Sequence, residues 1–139
     1  MGNILEAEGC LSDAMHYYKK DLEISQKLAD ETETVEALRD LFVSYNKLGD
    51  ILKAEGCLSD AMHYYKKALE IRKKLADETH TAESYDDLAV SYYKLSLVDT
   101  AKKNELLDQA ISIYEMLTEN CPNITRFRNN LNVLKSFKK

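Results

Sequence analysis

Apolar residues in this chain recur at spacings of three and four. Leu38, Leu41, Tyr45, Leu48 and Leu52 form one stripe with polar residues between them, the period of a helix that buries a single face. The spacing predicts a helix over Val35–Glu55, with Thr34 as N-cap and Glu36 complementing the dipole in the first turn. Gly56 supplies the left-handed residue that ends such a helix. A second helix is predicted from Ser59 and Asp60 to near Ala76, with Ala61, Tyr65, Ala68, Leu69 and Leu75 on one face. The linker "DETHT" follows. Thr81 then repeats the role of Thr34, and the stripe returns as Tyr85, Leu88, Tyr92 and Leu95. In the third unit Asn104 is expected to take the left-handed place of the glycine, and Pro122 forbids continuation of the next helix. A last short helix over about 125–137 places Ile124, Phe127, Leu131 and Leu134 on one side and Arg, Asn and Lys on the other, the pattern of a capping helix.

The stripes repeat because the sequence does. "AEGCLSDAMHYYKK" runs from Ala7 to Lys20 and returns unchanged from Ala54 to Lys67. A shift of 47 residues superposes Gly2–Leu48 on Gly49–Leu95 with 35 identities and 12 differences. Physically this is one helical pair stacked on a copy of itself.

At these residues the chain resembles the tetratricopeptide-repeat (TPR) family. "Leu88-Ala89-x-x-Tyr92" and "Leu41-Phe42-x-x-Tyr45" match the family's first helix, Gly49 its later glycine, and "Ala61-x-x-x-Tyr65-x-x-Ala68" its second helix. "Ala14-x-x-x-Tyr18" and "Ala110-x-x-x-Tyr114" repeat the second pattern, and Pro122 stands where the family's proline belongs. The period exceeds the usual value of about 34. About seven extra residues, two turns, fall in the first helix and about six near the linker. "KALEIRKKLADET" is similar to the long-helix variety seen in kinesin light chains and bacterial arrays. The resemblance implies an all-α, right-handed α-solenoid of stacked antiparallel helix pairs, closed by the C-terminal capping helix. It divides residues 1–139, one domain, into a partial first unit (1–30), a second (34–76), a third (81–120) and the cap (124–139).

Two residues depart from the family pattern. Phe42 stands where a small side chain is usual, and Asp21 replaces the second small residue, which places its carboxylate near solvent or against a partner. Gly2 aligns with Gly49, so the first unit lacks the start of its first helix. The helix expected over Ser12–Ala29 then exposes Tyr17, Tyr18, Leu22 and Leu28, an open N-terminal edge.

Composition agrees with helices: Gly (4) and Pro (1) are scarce, and apolar residues make up 45% of the chain. Net charge is −5 but uneven. Residues 121–139 hold Arg126, Arg128, Lys135, Lys138 and Lys139 without an acid, leaving the first 120 with 14 basic against 24 acidic side chains. An acidic body repels phosphate, so nucleic acid is not an expected partner. No segment reaches the roughly 18 apolar residues of a membrane span. "MGNILEAEG" lacks the basic start of a signal peptide. Three cysteines, Cys10, Cys57 and Cys121, are expected as reduced, semi-buried thiols, which suits the cytoplasm.

Candidate chemistry is sparse. His16 and His63 each follow a cysteine by six residues, but no C-x-x-C or H-x-x-x-H pair accompanies them, so no metal is expected. His80 is expected to be solvated. Asp86-Asp87, Asp30-Glu31 and Asp77-Glu78 read as helix surface and linker, and no nucleophile motif is present; no enzyme activity and no cofactor are expected. Tyr18, Tyr45, Tyr65, Tyr92 and Tyr114 read as packing positions. The face opposite the stripe is more informative. Glu36, Arg39, Val43, Asn46 and Lys47 on one first helix, and Glu83, Asp86, Val90, Tyr93 and Lys94 on the next, lie roughly 180° from the packed positions. The resemblance implies that this face binds an extended peptide or helix of a protein partner, with Val43 and Val90 as its apolar floor. Those valines stand where a carboxylate clamp would need Asn, so that specificity is not expected. The leading expectation is a non-catalytic interaction module. The alternative is self-association, by stacking or exchange at the N-terminal edge into a homodimer.

Overall fold

A computed structural model describes the backbone from Gly2 to Lys138 and the side chains from Met15 to Lys138. Ala14, Cys10 and Lys139 therefore lie outside the residues whose side chains are described. Among the described residues the chain is all-α. Its helices are α1 (Gly2–Thr32), α2 (Val35–Ala54), α3 (Leu58–Thr79), α4 (Ala82–Ser96), α5 (Lys103–Asn120) and α6 (Thr125–Ser136), with a 3₁₀ turn at Thr100–Lys102.

Local chemistry sets most of the boundaries. The Thr34 hydroxyl accepts the Ala37 amide at 3.1 Å, and the Thr81 hydroxyl accepts that of Ser84 at 3.1 Å, so α2 and α4 start where their caps predict. Gly56 has φ +83°. Its amide reaches the Lys53 carbonyl, and the Cys57 amide the Leu52 carbonyl, the paired bonds of a Schellman end. The ends of α1 and α3 differ from expectation. α3 runs on to Thr79 instead of stopping near Ala76. Glu33 (φ +52°) and His80 (φ +51°) end these two helices in the left-handed region, their amides bonded to Ala29 and Ala76 carbonyls. No glycine marks these ends, so the composition of the linker concealed them.

Three further expectations are corrected. The first helix, expected over Ser12–Ala29, runs instead from Gly2 to Thr32 and passes through Gly9 without the turn made at Gly56. Asn104 is not a turn residue: it lies in the first turn of α5, and the reversal before it is made by Leu97–Asp99, with the Asp99 carboxylate accepting the Lys102 amide at 3.3 Å. Ile124 is 40% exposed instead of packed, because it precedes α6 as its N-cap.

The chain forms two compact units, Met1–Ala68 and Leu69–Lys139, and the boundary falls inside α3. In the first unit α1 packs on α2, and α2 meets the start of α3 where Tyr45 faces Tyr64, ring centroids 6.1 Å apart. Leu38, Leu41, Leu48, Leu52, Ala61 and Tyr65 are buried there, and Phe42 is accommodated among them. Asp21 is exposed and accepts a hydrogen bond from the Ser44 hydroxyl at 3.1 Å, so its carboxylate has both water and a donor. In the second unit α4 packs on α5 and α5 on α6. Ala89, Leu107, Ala110, Tyr114, Leu117, Phe127, Leu131 and Leu134 form one core. The end of α3 joins this unit through the Arg72–Asp87 ion pair at 3.1 Å and through Lys73, whose ammonium lies 5.5 Å from the Tyr92 ring centre.

Candidate functional site

The ten residues expected to face a partner divide between the units. On α2, Glu36, Arg39, Val43 and Lys47 are exposed and Asn46 is half-buried. Val43 is 47% exposed, a single apolar spot among polar neighbours. On α4, Glu83 and Val90 are exposed, whereas Asp86, Tyr93 and Lys94 are half-buried.

Asp86 is committed within the chain. One of its carboxylate oxygens accepts the Tyr114 hydroxyl at 2.6 Å, and the other accepts the Arg126 guanidinium at 2.9 Å. Asn130 donates its side-chain amide to the Tyr114 oxygen at 3.4 Å. Burial, and then the adjacent Asp86 carboxylate, push the Tyr114 hydroxyl well above its ordinary pKa, so it remains a donor at neutral pH. The α5–α6 hairpin brings Tyr114, Arg126 and Asn130 to α4, which spacing along α4 alone could not reveal.

Val90 and Tyr93 do come together. They line a cavity of about 300 Å³ in the second unit with Asn130, Val133 and Phe137 of the last helix and its end, above Ala89, Tyr114 and Leu134. The Tyr93 and Phe137 rings stack at 5.8 Å and 16°. The same pair borders a smaller hollow of about 100 Å³ with Ser96, Leu97, Lys103 and Leu107. The cavity is thus walled by apolar and aromatic groups around the polar Tyr114–Asn130 pair, a composition typical of sites that seat one apolar group and orient it with few hydrogen bonds. Val90, Val133 and Phe137 remain 40%, 51% and 43% exposed, so the mouth is greasy and open. Val133 and Phe137 escaped the sequence reading. Their signal was an apolar residue amid the Asn and Lys of the outward side of α6.

A broader hollow of about 550 Å³ in the first unit lies between α1 and α2, lined by Leu22, Glu23, Gln26, Lys27, Asp30 and Tyr45, among others. Its rim mixes both signs of charge. The Tyr45 hydroxyl donates to Gln26 at 3.0 Å across it. Among the described residues no cluster of three or more His, Cys, Asp or Glu side chains is arranged to hold a metal ion. His16, His63 and His80 are exposed; His80 Nδ1 lies 3.2 Å from the Tyr85 hydroxyl. Cys57 is an exposed free thiol, not semi-buried, and Cys121 is half-buried. No helix among the described residues is long and apolar enough to cross a membrane.

Comparison with known proteins agrees with the helical pairs. A family model described as "Tetratricopeptide repeat" matches residues 40–116. No curated protein matches the chain.

Proposed function

Because the chain belongs to the tetratricopeptide-repeat family, matched over more than half its length, we propose that it is a non-catalytic interaction module whose second unit captures an apolar side chain of a partner peptide. The observation that carries this reading is the cavity bounded by Val90, Tyr93, Val133 and Phe137. Its open mouth leaves about half of Val90, Val133 and Phe137 in water, and a partner that covers them gains free energy in proportion to the area removed. Tyr93 and Phe137 are rigid aromatic walls that lose little entropy on binding, and Tyr93 is the expected anchor. The Asn130 amide and Tyr114 hydroxyl orient a backbone carbonyl or amide at the floor. In the first unit, Arg39, Val43 and Lys47 of α2 are exposed and form a separate candidate contact surface. We place the protein in the cytoplasm on its odd number of cysteines, which suits reduced thiols.

The test is selection of peptides on the full chain from a displayed random library, followed by fluorescence anisotropy with the selected peptide. The Val90→Glu, Tyr93→Ala double variant is expected to weaken that peptide at least roughly tenfold, two anchors lost, with helicity unchanged by circular dichroism. Retained affinity would place the site elsewhere.

A second reading, self-association at the N-terminal edge, is favoured by one observation. Tyr17 and Ile24 of α1 are 69% and 67% exposed, and Leu28, on the same face, 45%.

A further inference from the structure

The polar floor of the second-unit cavity is a chain of hydrogen bonds with a fixed direction. It starts at Asp86, whose Oδ2 accepts the Arg126 guanidinium at 2.9 Å and whose Oδ1 accepts the Tyr114 hydroxyl at 2.6 Å. A carboxylate held by a guanidinium has no proton to give, so both of its oxygens accept. The single proton of the Tyr114 hydroxyl is therefore spent on Asp86. Towards its other neighbour, the Asn130 side chain at 3.4 Å, the tyrosine oxygen can only accept. The two ends of an asparagine amide have nearly the same shape, and hydrogen bonding decides which end faces where. Here it draws the Asn130 nitrogen to Tyr114 and turns Oδ1 away. Among the described residues Oδ1 accepts no hydrogen bond. Tyr114 and Asn130 both line the cavity, and no charged side chain lines it with them. Its polarity is thus set by two accepting oxygens, the Asn130 Oδ1 and the remaining lone pair of Tyr114, against one spare proton on the Asn130 nitrogen.

We propose that Asp86, acting through Tyr114, holds the Asn130 amide with its oxygen towards the ligand, so that the cavity selects an apolar group bearing an N–H or O–H donor over one bearing a carbonyl. The proposal rests on capture of an apolar group by this cavity and narrows it: of the carbonyl and amide that the floor could orient, it takes the amide N–H. A donor placed there pairs with an open acceptor, whereas a carbonyl meets oxygen and leaves both unpaired. Asp86 does not line the cavity and is a positioning residue.

The test uses the isotope-labelled full chain and two bicyclic probes of similar size, indole, which donates an N–H, and indanone, which offers only a carbonyl. The backbone amide signals of Val90, Asn130 and Val133 report binding. Asn130→Ala lacks the orienting amide and calibrates the intrinsic difference between the probes. Relative to it, the unaltered chain is expected to favour indole roughly threefold or more, the worth of one net hydrogen bond. Asp86→Asn, of the same shape, reverses the chain. Arg126 then holds the new amide by its oxygen, the amide nitrogen donates to Tyr114, the Tyr114 proton turns to Asn130 Oδ1, and the Asn130 nitrogen faces the ligand. The preference is expected to swing to indanone, which a merely structural role for Asp86 would not produce. Tyr114→Phe frees the Asn130 amide to turn and is expected to bring the probes within roughly twofold of each other, which keeps the proposal decidable if Asp86→Asn fails to fold by circular dichroism. Equal binding of the probes by the unaltered chain, or a preference that neither variant moves, overturns the orientation and leaves the cavity as the capture site. Failure of both probes to shift the three amide signals at millimolar concentration overturns capture at the cavity and this proposal with it.

Discussion

The ring of Tyr65 lies so close to Gly49 that a β-carbon built on the glycine would fall 2.6 Å from Cε1 and 2.7 Å from Cδ1. The ring cannot retreat easily, because its hydroxyl donates to the Asp50 carboxylate at 2.5 Å and its sides are buried. The family's glycine in this helix is thus explained by contact with an aromatic ring, not by a turn.

Gly49→Ala should therefore destabilise the first unit. Alanine gains about 1 kcal/mol of helix propensity, but overpacking against a fixed ring costs on the order of 1–3 kcal/mol. A net loss on urea denaturation is expected, and Tyr65→Leu in the same background should recover part of it by making room. A stabilised Gly49→Ala variant would contradict the contact.

Gly56 differs in kind. No atom lies within 4 Å of a β-carbon there, but its φ of +83° is one that L-residues rarely adopt. Gly56→Ala is expected to cost about 1–2 kcal/mol through backbone strain alone. The complementary change is Glu33→Gly. Glu33 holds φ +52° at an exposed helix end, so relief of the left-handed penalty should raise stability by about 0.5–1 kcal/mol. Thermal melts of both variants decide the point.

The hydroxyls of Tyr65 and Tyr114 are both pushed above the ordinary tyrosine pKa, first by burial and then by the hydrogen-bonded carboxylates of Asp50 and Asp86. The folded state holds these protons longer than the unfolded chain. Their stabilisation is thus complete below the unfolded pKa of about 10 and is lost as pH rises beyond it. Stability should fall with pH above about 10, and Tyr114→Phe should flatten that slope. At neutral pH the same variant should lose on the order of 1–2 kcal/mol, because Asp86 forfeits one of its two described donors. Chemical denaturation at neutral and alkaline pH measures both effects.

Ala61 is fully buried, whereas Val43 is 47% exposed. Ala61→Trp should collapse the first unit, at a cost above the usual 1–3 kcal/mol of overpacking, whereas Val43→Trp should change stability by less than about 0.5 kcal/mol. An unchanged melting temperature for Ala61→Trp would remove this residue from the packing contact.

Much of this was legible before any coordinates. The three-four spacing located the helices, Thr34 and Thr81 marked their starts, and Ala61, Ala68, Ala89 and Ala110 announced close approach by being small. The candidate site was legible by half. Val90 and Tyr93 follow from helical periodicity. Asn130, Val133 and Phe137 do not, because their meeting with α4 depends on how α6 folds back over α5. Asp86 read as a partner contact, but its proton donors come from residues 28 and 40 positions downstream, a distance local patterning cannot span.

Periodicity, capping and repeat length are local properties, so the amino-acid order determined by itself that this chain is a series of apolar-striped helices with family-typical small residues at their crossings. It did not determine whether a given glycine turns. Identical fourteen-residue segments run straight through Gly9 and reverse at Gly56. Glycine in a helix interior costs only about 1 kcal/mol relative to alanine, less than the roughly 1.5–3 kcal/mol gained when a large side chain such as that of Tyr65 is covered. Which shape prevails was therefore decided by what lay within reach to cover the tyrosine, and that is a property of the tertiary structure.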